Sequence, residues 1–177
     1  SITVNPTPYV FSSTGSTNAI ATTYSAVDQK SIIAYYGSGG YGYARTATIS
    51  GTSISFGSPA QMTSLAGFEN VASCYDSTIQ KVIIAYMYES NAPLGAAKVC
   101  SVSGTNITFG SEAVFRAPNT VIVTKPMTII YDSTANKSIL FYIAYLSGAQ
   151  YPMYTVAEVS GTTITYGTGT TIRSSTT

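Results

Sequence analysis

The chain has 177 residues, enough to bury a sizeable core, yet only 8% are charged, against about a quarter in ordinary globular proteins. Eight basic and seven acidic side chains leave a net charge of +1 without a basic cluster, which argues against nucleic acid or an anionic membrane surface as a partner. No apolar run reaches transmembrane-helix length, so membrane insertion is not expected, and the absence of histidine removes Ser-His-Asp and Cys-His catalysis and the usual zinc sites.

The chain is expected to be one all-β repeat domain. Ser1-Ile2-Thr3-Val4-Asn5 reads as a surplus strand at 1–5, a copy of a motif that returns three times with its turn intact. Those returns are Ser50-Gly51-Thr52-Ser53-Ile54-Ser55-Phe56-Gly57, Ser103-Gly104-Thr105-Asn106-Ile107-Thr108-Phe109-Gly110 and Ser160-Gly161-Thr162-Thr163-Ile164-Thr165-Tyr166-Gly167. They close units at about 12–57, 64–110 and 121–167. Each unit begins with a short strand ending in Tyr24, Tyr75 or Tyr131, and a turn of constant length leads to Lys30, Lys81 or Lys137. Asp76 and Asp132 are placed to fold back on that turn; the first copy carries Ser25 there and Asp28 later.

The second strand of each unit is almost wholly apolar, as in Val82-Ile83-Ile84-Ala85-Tyr86, and reads as buried on both faces. The third strand alternates more, and Ser-Gly then makes a tight hairpin turn. The fourth alternates cleanly, with Ile54 and Phe56 opposite Ser53 and Ser55, as an edge strand does. Four antiparallel strands per unit with apolar inner strands predict a β-propeller-like fold, with β-trefoil and β-prism as alternatives. Three units are too few to close a propeller ring, so association of copies or membership of a longer assembly is expected. Cys74 and Cys100 fall at ordinary strand positions and are read as buried free thiols.

The units disagree at the connection between their second and third strands and at the linkers between units. In an up-and-down sheet both emerge at one end, which makes that end the candidate binding face. The candidate ligand-binding residues there are Tyr36, Tyr41 and Tyr43, then Tyr88, Glu89 and Asn91, then Tyr145, Gln150, Tyr151 and Tyr154. Tyrosine supplies rigid amphipathic contact area, and Ser, Gly and Asn around it supply adaptable hydrogen bonds. No Gly-rich phosphate loop precedes a helix, and no spacing among Glu69, Glu89 and Glu112 marks a glycosidase pair. No enzyme activity, metal or cofactor is expected.

The units Tyr75-Asp76-Ser77-Thr78 through Lys81-Val82-Ile83-Ile84-Ala85-Tyr86, and Val102-Ser103-Gly104-Thr105-Asn106-Ile107-Thr108-Phe109-Gly110-Ser111, resemble repeats of tailed-phage and other viral tail-fibre and surface proteins. The resemblance implies an extracellular protein on a virion surface that presents a propeller-like head to a host surface glycan or protein. It carries over no site residue, because the shared residues are scaffold. A structural assembly protein (a decoration, fibre or filament subunit) is the alternative expectation.

Overall fold

A computed structural model describes residues 10–11, 19–88, 94–116, 123–146 and 149–172. The surplus strand expected at 1–5 lies outside the described residues. The first sheet holds β1 (Ile20–Ser25), β2 (Lys30–Tyr36), β3 (Gly42–Ser50), β4 (Ser53–Phe56) and β5 (Ala60–Gln61). The second holds β6 (Phe68–Asp76), β7 (Lys81–Tyr88), β8 (Leu94–Ser103), β9 (Asn106–Phe109) and β10 (Ala113–Arg116), and the third β11 (Val123–Asp132), β12 (Lys137–Leu146), β13 (Ala149–Ser160), β14 (Thr163–Tyr166) and β15 (Thr170–Thr171). All pairings are antiparallel, and in each sheet the first three strands lie side by side in chain order. The fourth line of each sheet is split. In the first, β4 pairs the end of β3 from Ala47 to Ser50, and β5 pairs its start at Tyr43 and Ala44. The units thus run past Gly57, Gly110 and Gly167, which interrupt the outer line rather than end it.

Local chemistry accounts for the turns. Asp76 Oδ1 accepts from the backbone N–H of Thr78 at 2.9 Å and of Ile79 at 3.1 Å, and Asp132 Oδ1 does the same for Thr134 and Ala135 at 2.8 and 3.0 Å. In the first unit Ser25 instead donates to Asp28 Oδ2 at 2.6 Å. The residue before each turn lysine is left-handed, with φ of 53° at Gln29, 55° at Gln80 and 53° at Asn136. The hairpin glycines Gly51, Gly104 and Gly161 have φ near 60° (59°, 61° and 61°), where a side chain would be strained.

The sheets stack in chain order. Each has a front face toward the preceding unit and a back face toward the next. Ile32, Ala34 and Ala44 on the back of the first sheet share a core with Val82, Ile84 and Tyr86 on the front of the second. Ile83, Ala85 and Val99 on the back of the second share another with Ile129, Leu140 and Tyr142 on the front of the third. The first strands lie alongside one another, β1 by β6 and β6 by β11. Thr23 Oγ1 and Ser73 Oγ share a 2.6 Å hydrogen bond across the first of these junctions. The three sheets do not close into a ring.

Every residue of β7 after Lys81 is buried, as its unbroken apolar run predicts. β12 differs: Leu140, Tyr142 and Ala144 are buried on its front, whereas Ile139, Phe141 and Ile143 on its back are only half-buried. Among the described residues no further sheet packs behind it. Cys74 and Cys100 are free and buried, each inside one of the two cores.

Candidate functional site

The connection between β2 and β3 is a short 3-10 turn at Ser38–Gly40, with φ of 71° at Gly39 and 81° at Gly40. Glycine is required at these positions by conformation. Gly37 N–H donates to the Tyr41 carbonyl at 2.8 Å and closes the loop on itself. Gly67, in the linker to the second unit, donates to the Gly40 carbonyl at 3.0 Å. The Tyr36 hydroxyl and Ala66 border Gly40, and the Tyr41 ring lies over Gly39. The variable loop and the linker of this unit therefore meet at one end of the stack, and bring Tyr36 and Tyr41 to that end. In the third unit the Gln150 amide donates to the Tyr145 hydroxyl, and Gln150 is exposed. Glu89 and Asn91 lie outside the described residues.

The remaining candidates go elsewhere. Tyr43 stacks on Tyr35 on the front of the first sheet, with ring centroids 6.2 Å apart and planes at 26°. Tyr151 is half-buried against the core between the second and third sheets. Tyr154 is also half-buried and sits beside Phe141 on the back of the third sheet, at 6.4 Å. Tyr88 requires a correction: it is fully buried and contributes to a core rather than to an exposed loop. The physical reason is register. Tyr88 is the last residue of β7 and pairs with Leu94, and it points to the same face as Tyr86.

A cluster that the sequence reading missed lies behind Tyr88. Glu112 Oε2 accepts from the Tyr86 hydroxyl at 2.7 Å and from the Tyr88 hydroxyl at 2.9 Å. The two rings meet edge to face at 5.5 Å. Burial pushes both hydroxyls well above the usual tyrosine range, and the neighbouring carboxylate adds to the shift. Both therefore remain donors, and the arrangement is a carboxylate clamp on two core tyrosines. The signal in the sequence was a departure from the repeat: Glu112 stands where the other units carry Pro59 and Gly169.

The opposite end carries the constant turns. There Thr78 donates to Asn136 Oδ1 at 2.9 Å and also bonds the Tyr131 hydroxyl, which joins the turn of the second unit to that of the third. Burial raises the Cys74 thiol to about 11 and the Cys100 thiol to about 12, so both are neutral packing groups at physiological pH. Among the described residues no group of three His, Cys, Asp or Glu could hold a metal ion. No helix among them is long and apolar enough to cross a membrane.

No known family model matches the chain, and no curated protein matches its sequence.

Proposed function

We propose that the chain is a non-enzymatic recognition module of a virion or cell surface, built as consecutive blades of a propeller-like array. In this reading the loop end engages a surface glycan or protein. The observation that carries it is the asymmetry between the two ends. The turn end keeps its length and its left-handed residue before the lysine in all three units, whereas the loop end changes length and composition and carries Tyr36 and Tyr41 in the first unit and Tyr145 and Gln150 in the third. Variation confined to one end of a rigid scaffold is how binding surfaces are diversified. The blade reading is supported by first strands that lie together while the split fourth strands lie outermost. Replacing Tyr41, Tyr145 and Gln150 together with alanine should lower attachment to cells and to a glycan array at least tenfold without changing the melting temperature. Attachment equal to that of the unaltered chain would sink the reading.

A second reading, a structural assembly subunit, is favoured by the half-open back of the third sheet.

A further inference from the structure

Each joint between units has the same three parts. The first is a side chain at the end of the split outer line, just past β5 in the first unit and within β10 in the second, that packs toward the next unit. Met62 is buried in the core between the first and second sheets, and Phe115 packs on Tyr142 and Tyr166 of the third sheet at 5.4 and 5.9 Å. The second part is a close approach by a glycine. A Cβ on Gly57 would lie 2.3 Å from the Thr105 carbonyl oxygen, and one on Gly110 would lie 2.3 Å from that of Thr162. The third is the apolar back of the sheet, where Ile83, Ala85 and Met87 of the second unit are wholly buried by the third.

The third unit has all three parts, and among the described residues nothing packs against them. Ile172 holds the place of Met62 and Phe115: its N–H donates to the Pro152 carbonyl at 2.8 Å, as that of Met62 does to Gly42 at 2.7 Å. Yet Ile172 is 54% exposed, where Met62 is 2% exposed. Among the described residues a Cβ on Gly167 would meet only the Val156 carbonyl oxygen of its own sheet, at 3.7 Å. Ile139, Phe141 and Ile143, the counterparts of Ile83, Ala85 and Met87, are half-buried, and Ile130 beside them is 49% exposed. Phe141, Ile143, Pro152 and Ile172 border an apolar cleft of about 160 Å³ at this face.

The other end of the stack identifies the occupant. Phe11 packs on Tyr35 and Phe56 of the first sheet at 5.2 and 6.2 Å, the residues that correspond to Tyr142 and Tyr166 under Phe115. The Arg45 guanidinium donates to the Phe11 carbonyl, as Lys98, at the equivalent strand position, donates to the Met62 carbonyl at 2.8 Å. Phe11 thus occupies the front of the first sheet as the end of a preceding unit would. Tyr35 and Tyr142 are served from within the chain by Phe11 and Phe115, and Tyr86 shares its buried core with Met62. A second unaltered copy has no unserved front to offer to Ile172.

We propose that the back of the third sheet docks a further four-stranded unit of this same repeat class, whose front-face tyrosine receives Ile172. The joint is then a third instance of the two already present, and it uses continuity with an established interface rather than a new kind of surface.

The chain itself can serve as the probe. Phe11→Ala in the full-length chain removes the ring that serves Tyr35 and so offers a front face to Ile172 of another copy. Light scattering should give a monomer for the unaltered chain and a dimer or larger species for Phe11→Ala. Adding Ile172→Glu and Phe141→Lys should return the variant to a monomer. A folded Phe11→Ala chain that stays monomeric at every concentration overturns the proposal. So does association that survives the Ile172 and Phe141 changes, and so does an unaltered chain that dimerises through Ile172. If Phe11→Ala does not fold, the full chain extended by a second copy of its residues 121–172 gives the same decision. The extension should raise the melting temperature by several degrees, and Ile172→Glu within it should cancel the rise. An extended chain that melts where the original does is the overturning result.

Discussion

Tyr86 and Tyr88 place two hydroxyls inside the second sheet, and both depend on one carboxylate oxygen of Glu112. A buried hydroxyl without an acceptor loses roughly 1–3 kcal/mol. Glu112→Ala should therefore destabilise the chain by roughly 2–4 kcal/mol in denaturant unfolding. Replacing both tyrosines by phenylalanine in that background should recover most of the loss, because the unmet donors go with the acceptor. A loss within about 0.5 kcal/mol, the range of an ordinary surface change, would show that water satisfies the two hydroxyls. The sequence hid this clamp because Tyr88 borders a variable loop and looks like a loop residue. Its fate was set by strand length: β7 runs two residues past Tyr86 and turns the Tyr88 ring inward. By contrast Asp76 and Asp132 were legible, since an Asx turn is decided by neighbours in the chain and needs no tertiary partner.

The strands show the same division between local and distant causes. The apolar runs of β7 and β12 look alike in sequence, and both read as buried on two faces. β7 has a sheet on each side, whereas among the described residues β12 has one only on its front. Periodicity records the burial that a strand is built for, not whether its neighbour is present. Glycines break the outer strands, and at two of them the backbone of the next unit comes close. Gly57→Ala would press on the Thr105 carbonyl and Gly110→Ala on that of Thr162, and both oxygens belong to backbone that cannot swing aside. Each should destabilise by about 1–3 kcal/mol, the usual range for overpacking a tight contact. Gly167→Ala, with ordinary van der Waals room around it, should stay within about 0.5 kcal/mol. Equal melting temperatures for all three variants would refute the joint geometry.

A stack in which each unit touches only its neighbours has stability that varies along its length. The middle sheet is covered front and back, the first is covered in front by Phe11, and the third has a half-open back. This gradient follows from three units that share one design, and a single unit of the sequence contains no trace of it. Local opening draws on the least covered part of a structure, and amide exchange measures its free energy site by site. The amides from Val82 to Tyr88 in β7 should exchange most slowly, close to the global unfolding limit. Those from Ile139 to Tyr145 in β12 should exchange faster, although β12 is the longer strand and is hydrogen-bonded on both sides. β7 is likewise paired on both sides, so hydrogen bonding alone would not separate the two strands, and the comparison isolates the effect of a covered back face. Equal protection in β7 and β12 would mean that the back of the third sheet is covered in solution. Repeating the exchange on the chain extended by residues 121–172 separates the causes: β12 should slow to the rate of β7 when a further unit packs behind it, and keep its original rate when none does.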